Sequence, residues 1–377
     1  MYDILISAMA YDRGKSGISV YMNQVIKHLS ARHRLHIIIL ADDYEIFPVK
    51  NANTEFIVFP ESLRKPLFNM LWHLFILPFR LKFGKYDFIW LPAANRRAFL
   101  RHCGTTVATV HDLSQYHVKN KYDAFRTFYI KKILPYCVRK SDGIVAVSES
   151  TRQDLIKYWN CDPERIFVSW NGYDRSVYSS TIPCDGEGIK QMLGIGKDYI
   201  LYISRIEHPG KNHLKLMKAY EKLPDDIKSR YCLVMPGKFW AGSEPVRDYA
   251  AESKDSGNFI FPGFIPNDQL PGLYKTSSMY IFPSYFEGFG ISLAEAMACG
   301  VPCACSNCSS LPEIGGDAVL TFDPDNVDAM ADAMRRLLTD DALKHDLIEK
   351  GFERLPLFDW RKHAEDVVEV YEKFKKK

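Results

Sequence analysis

The segment Pro283-Ser284-Tyr285-Phe286-Glu287-Gly288-Phe289-Gly290-Ile291-Ser292-Leu293-Ala294-Glu295-Ala296-Met297-Ala298-Cys299-Gly300-Val301-Pro302 holds the densest chemistry in the chain. It reads as strand, glycine-rich turn, helix, glycine stop and next strand. Gly288 and Gly290 clear side chains from the turn, so backbone amides at the helix start can approach an anion closely, and the helix dipole favours negative charge there. This is a phosphate cradle. Glu287 and Glu295 would stand about 12 Å apart if the whole span were helical. That is too far for two carboxylates acting on one bond. It suits two groups gripping hydroxyls at opposite ends of an elongated ligand. A loop glutamate and an exposed helical glutamate are the simpler alternative.

Three further loops carry chemistry-bearing residues. In Ser204-Arg205-Ile206-Glu207-His208-Pro209-Gly210-Lys211-Asn212, Arg205 and Lys211 flank a Pro-Gly turn after a strand, and two cations converging on a diphosphate would stabilise charge that grows as it leaves. Gly14-Lys15-Ser16-Gly17-Ile18 follows the first strand with a flexible backbone. His111 ends the strand Thr109-Val110-His111-Asp112, a position open to a ligand as well as to an ordinary buried histidine.

Other motifs fail on spacing. A Walker A loop ending at Gly14-Lys15-Ser16 needs a glycine where Met9 stands, and Gly194 and Gly196 precede a strand where a dinucleotide fingerprint must follow one. Hydride transfer is therefore not expected. Asp323-Pro324-Asp325 precedes a helix, so Asp325 or Asn326 reads as an N-cap in preference to a metal ligand. Cys299, Cys303, Cys305 and Cys308 lack a histidine half-site and read as small buried hydrophobes. No metal site is expected.

Composition bounds the setting. The chain has 377 residues, 47% apolar and 25% charged, enough for two cores. The net charge of +3 gives no reason to expect nucleic acid as partner, but residues 1–170 carry +9 and the remainder −6. The odd number of cysteines, nine, and the direct run from Met1-Tyr2-Asp3 into an apolar strand suggest a reducing cytoplasm without a secretory leader. The longest apolar stretch, Leu67 to Phe79, is interrupted by Asn69, His73 and Pro78 and is too short to span a bilayer.

These residues are positioned by an α/β framework. Apolar runs at Asp3–Met9, Leu35–Leu40, Glu55–Phe59, Asp87–Leu91, Thr106–His111, Gly143–Val147 and Ile166–Trp170 alternate with helical patterns and predict one doubly wound parallel sheet. A turn-rich stretch, Asn171 to Gly188, separates it from a second set at Tyr199–Ser204, Tyr231–Met235, Asn258–Phe261, Met279–Pro283, Val301–Cys305 and Ala318–Phe322. Helices are predicted at Val327–Leu338, Ala342–Leu355 and Trp360–Phe374. Ligands of open α/β sheets bind at the carboxyl ends of the strands, which places a cleft between the two sheets.

Taken together, the residues resemble the family four glycosyltransferases, retaining enzymes of GT-B fold with two Rossmann-like domains facing across a cleft. The likeness rests on Glu287-x7-Glu295 with its internal Gly-Phe-Gly, Ser204-Arg205 through Lys211, Asn171-Gly172, Leu311-Pro312-Glu313-Ile314-Gly315, Val110-His111-Asp112-Leu113 and Val145-Ala146-Val147-Ser148-Glu149-Ser150. It covers residues 3–340; the usual paired glycines near the start are spaced out here as Gly14 and Gly17. The implied domains are 1–180 on the acceptor side, with helix 360–377 returning to it, and 181–359 for the donor.

By this resemblance Arg205 and Lys211 hold the donor diphosphate, Glu295 the ribose hydroxyls, and Glu287 with the amides of Phe289, Gly290 and Ile291 the transferred sugar and phosphate. His111 bonds the sugar near the reacting carbon, Gly17 joins the donor side, and Gly263-Phe264-Ile265-Pro266 lies along the nucleobase. No cofactor or metal is implied beyond the nucleotide sugar co-substrate. Thr109–Leu113, a long helix from Tyr122 to Lys140 and Val145–Leu155 resemble the mannosyltransferase-like branch of bacterial surface polysaccharide synthesis. The expected reaction moves a hexose, mannose from GDP-mannose first, to a growing or lipid-linked glycan. A non-hydrolysing sugar-nucleotide epimerase and a catalytically silent nucleotide-sugar binding subunit are the alternatives.

Residues Arg64 to Lys85 alternate cations (Arg64, Lys65, Arg80, Lys82, Lys85) with Phe68, Leu71, Trp72, Phe75, Phe79 and Phe83. That arrangement suits either an anionic membrane surface on the cytoplasmic side or an ordinary core helix with a solvated cationic side.

Overall fold

The structure is a computed structural model and describes residues 1–14, 16–81, 83–102, 104–118 and 123–375; Lys15 and Lys82 lie outside the described residues. The chain forms two compact units, residues 1–172 with 359–377, and residues 173–358. The boundary thus falls at Gly172, not at 180. Residues 173–180 pack into the second unit, where the Tyr178 ring meets Tyr274 edge-on at 6.0 Å.

The first unit is a seven-stranded parallel sheet in the order β3-β2-β1-β4-β5-β6-β7. Its strands are β1 Asp3–Ser7, β2 Arg34–Leu40, β3 Thr54–Phe59, β4 Phe88–Leu91, β5 Thr106–Val110, β6 Gly143–Ala146 and β7 Ile166–Val168. Continuous apolar runs such as Ile37 to Leu40 are buried because helices cover both faces of such a sheet. The helix Trp360–Phe374, capped by the Asp359 carboxylate on the Arg361 amide, packs on this unit. Its buried His363 bonds the Tyr21 hydroxyl at 2.7 Å and Ser169 Oγ at 2.9 Å. Gly143 is needed beneath it, since a Cβ there would lie 2.3 Å from Val370 Cγ1.

The expected long helix from Tyr122 to Lys140 is broken. Ala124–Phe128 and Leu134–Val138 are α-helical, and Tyr129–Ile133 between them is a wide π-turn. Tyr122 itself is outside the described residues. Pro135 cannot donate an amide and its ring crowds the carbonyl four residues earlier, so the turn before it widens, and Leu134 N–H reaches the Tyr129 carbonyl. Pro78 does the same in the 64–85 segment, where the π-turn Trp72–Ile76 separates Pro66–Leu71 from Leu77–Arg80. In that segment Arg64 is already paired with the buried Asp43 at 2.9 Å, and Trp72 packs against Phe59, so neither faces outward as a free group. Phe68, Leu71, Phe75 and Phe79 are exposed, and Met70, Leu74 and Leu77 form core. Among the described residues no helix is long and apolar enough to cross a membrane.

The second unit is a six-stranded parallel sheet, β10-β9-β8-β11-β12-β13. Its strands are β8 Asp198–Leu201, β9 Tyr231–Val234, β10 Phe259–Ile260, β11 Met279–Phe282, β12 Cys303–Ser306 and β13 Val319–Phe322. The chain reverses direction across the sheet between β8 and β11. Loops leaving those neighbouring strands diverge there and open a crevice at the carboxyl edge.

Candidate functional site

The loops after β8 and β11 carry the predicted residues, and three residues, two of them buried, fasten them together. The Tyr202 hydroxyl donates to the Lys211 carbonyl at 2.9 Å and meets Ser284 Oγ at 3.0 Å. Asn212, in the left-handed region at φ 59°, sends its amide to the carbonyls of Pro283 and Pro324. Tyr285 N–H reaches the Gly210 carbonyl at 3.1 Å.

On this frame Lys211 Nζ lies 2.6 Å from Glu287 Oε1, both side chains being mostly shielded from water. Arg205 is not drawn into that pair. Its Nε is 2.6 Å from Glu207 Oε2 and its guanidinium lies over the Trp240 ring. The loop carrying it is held close to the loop after β9: a Cβ on Gly237 would come 1.8 Å from the Ser204 carbonyl oxygen, so only glycine fits.

The glycine turn has a fastener that has no signal in the sequence. Ser309 Oγ accepts from the Glu287 amide, and Ser310 Oγ donates to the carbonyls of Glu287 and Phe289. Gly290, at φ 98°, ends the turn and caps the helix Ile291–Ala298, whose first amides have no partner within the helix. The Phe289 side chain is buried against Phe358, leaving its backbone to the turn. Inside the helix, Glu295 accepts from the Tyr274 hydroxyl at 3.1 Å. Burial pushes its carboxyl up to about 7, against opposing hydrogen bonds from Tyr274 and Tyr178. Ile265 is buried and Phe264 is exposed, with Lys238 over its ring.

The first unit places His111 just past β5. Its Nε2 is 2.7 Å from the Pro92 carbonyl, which can only accept, so Nε2 carries the proton. Burial lowers the imidazole to about 4, with the Pro92 carbonyl acting in the opposite sense, and the ring is neutral at pH 7. Gly17 opens the helix Gly17–Ser30, and a Cβ there would meet nothing within 4 Å. The fold itself does not need glycine at this point.

The remaining acidic and thiol motifs resolve into structure. Asn326 is the N-cap, accepting from Ala329, while Asp325 pairs with Lys215 and Tyr285. Cys299, Cys303 and Cys305 are buried, with thiol pKa values raised by burial. Among the described residues no group of three or more His, Cys, Asp or Glu could hold a metal ion.

Residues 15–177 match the family model described as Glycosyltransferase Family 4, and residues 188–354 the model described as Glycosyl transferases group 1. The chain is 31% identical over 266 residues to O-antigen chain mannosyltransferase B of Escherichia coli, covering 70% of this chain and 69% of that protein. It is also 31% identical over 273 residues to the serotype-specific mannosyltransferase WbdA of the same organism, covering 71% of this chain but only 33% of that longer protein. Anabaena HepE, solved in complex with UDP and glucose, superposes with a TM-score of 0.76 at 18% identity over 99% of this chain and 100% of its own. The chain belongs to the family four glycosyltransferases, and its two Rossmann-like units are those of the GT-B fold.

Proposed function

We propose that this glycosyltransferase moves a hexose, mannose from GDP-mannose in the first instance, onto a growing or lipid-linked glycan of a cell-surface polysaccharide in the cytoplasm. Configuration at the anomeric carbon is retained and no divalent metal is used. The observation that carries the reading is the Lys211–Glu287 pair at 2.6 Å beside the Gly290-capped helix. A cation, a carboxylate and free helix amides converge there, one set for a phosphate and one acceptor for sugar hydroxyls. The mannosyltransferase relatives support the choice of sugar.

In this reading the departing diphosphate gains negative charge as the glycosidic bond lengthens, and Lys211, Arg205 and the amides of Gly290 and Ile291 meet that charge. Glu287 orients hydroxyls of the transferred sugar, and Glu295 accepts from the ribose. Neutral His111 serves as a hydrogen-bonding group to the sugar and not as a proton donor.

A panel of nucleotide sugars assayed for released nucleotide, with the anomeric configuration of the product read by NMR, tests the proposal. Release from GDP-mannose only when acceptor is present is the expected outcome. Interconversion of donor sugars without acceptor would instead identify an epimerase, and binding without turnover a silent subunit.

A further inference from the structure

Two stretches of the first unit, 62–86 and 124–141, contain no Asp or Glu, yet each holds five Lys or Arg residues. The first leads from β3 to β4 and the second from β5 to β6, in the same direction across the sheet. Right-handed crossovers therefore lay both on one face. Their inner residues share a core, Met70 and Leu74 with Ile130 and Leu134. Their outer residues do not: Phe68, Phe79, Phe125 and Phe128 are 60%, 70%, 52% and 57% exposed. Four phenylalanines in water on one helical layer make an apolar surface that calls for a partner.

A pocket of about 550 Å³ adjoins this layer, at the amino-terminal edge of β5, β6 and β7. Arg101, Arg139, Lys140 and Arg165 line it together with His102 and a single acid, Asp142. Asp142 is occupied by the Thr106 amide at 2.8 Å, and Arg139 donates to the Trp159 carbonyl at 2.7 Å. Arg101 and Lys140 also reach the apolar layer, lying over the rings of Phe79 and Tyr136 at 5.6 and 4.2 Å. The cations of the pocket thus meet the exposed aromatic layer at Phe79 and Tyr136.

We propose that this surface docks on an anionic bilayer, with the phenylalanines at the lipid interface and Arg101, Lys140 and Arg165 holding the phosphate of a lipid headgroup. Charge complementarity selects the occupant: the four cations of the pocket outnumber its one acid, with Arg165 Nε also 3.8 Å from the exposed Asp162, which favours an anionic surface, and aromatic side chains beside them favour its interfacial zone over free phosphate. Docking of this kind does not depend on which sugar is transferred.

The test is co-flotation of the full chain with vesicles of phosphatidylcholine, with and without phosphatidylglycerol, at low salt. The chain is expected to float with the anionic vesicles only. Each basic residue near such a surface is worth about fivefold in binding, so Arg101→Glu, Lys140→Glu and Arg165→Glu together should weaken partition by about a hundredfold or more. Phe68→Ser with Phe128→Ser, both at exposed positions, should weaken it independently while the thermal midpoint holds. Equal binding to both vesicles, or an unchanged triple variant, overturns the proposal. So does titration in which inorganic phosphate fills the pocket while vesicles do not bind, or a concentration-dependent dimer that the phenylalanine variants abolish.

Discussion

The Lys211 ammonium and the Glu287 carboxylate meet at 2.6 Å across 76 residues of sequence, with only 18% and 15% of their side chains exposed. In a site this dry each charge depends on the other. Removing one partner of a shielded pair leaves an uncompensated charge, at a cost of about 3–5 kcal/mol where burial is complete and less here.

Lys211→Ala should therefore show two separable effects. Turnover should fall by about a hundredfold or more, from loss of a charge-assisted contact to the leaving diphosphate. The thermal midpoint should fall as well. Lys211→Ala combined with Glu287→Ala should recover part of the midpoint and none of the activity. Recovery of both in parallel would make the pair structural only.

The two glutamates should separate kinetically. If Glu287 contacts the transferred sugar as proposed, changing it to alanine should lower kcat, whereas Glu295→Ala, at the proposed ribose contact remote from the breaking bond, should chiefly raise the donor KM. Steady-state kinetics with varied donor decides between them, and the reverse pattern would exchange their roles.

Much of this was legible in the sequence for a physical reason. Interior strands buried on both faces must be largely apolar, so Phe88–Leu91 and Met279–Phe282 stand out as runs, whereas the edge strand Thr54–Phe59 is only partly buried and carries Glu55. Their ends were less legible, because a strand stops where its neighbour's ladder stops: β12 starts at Cys303, not Val301. The helix after β5 read as continuous since its apolar spacing is helical, and the break is set by the single Pro135. At the site, the glycines of the 287–290 turn announce themselves by composition. Contacts between distant loops do not: neither the Ser309–Ser310 clamp nor the turn of Arg205 toward Glu207 and Trp240 has a local pattern.

Gly17 offers a test of ligand approach independent of stability. Its Cβ position is empty space, so Gly17→Ala should leave the folding free energy within about 1 kcal/mol of the parent, allowing for the helix preference of alanine. If a donor lies against this backbone, the donor KM should rise. An unchanged KM would remove Gly17 from the donor contacts.

The proposed mechanism, in which Lys211, Arg205 and the helix amides meet the diphosphate charge, predicts metal independence. Turnover should be the same with and without a chelator. Loss on chelation with recovery by magnesium or manganese would overturn this part of the mechanism.

The last expectation concerns pH. The Glu295 carboxyl is raised from its ordinary 4.5 to about 7, burial being the largest cause. The fold thus favours the protonated form. Its contribution to stability is fully present below about 4.5 and is lost as pH rises through about 7, at a rate of about 1.4 kcal/mol for each unit separating the folded and unfolded values. Donor binding has the opposite slope, because ribose hydroxyls donate best to the charged carboxylate, so the donor KM should fall as pH rises from 6 to about 8. Glu295→Gln should abolish both slopes. Tyr178→Phe removes a hydrogen bond that favours the charged form, and should move the KM inflection to higher pH. A donor KM flat with pH in the parent, or an inflection that persists in Glu295→Gln, would assign the titration to another group.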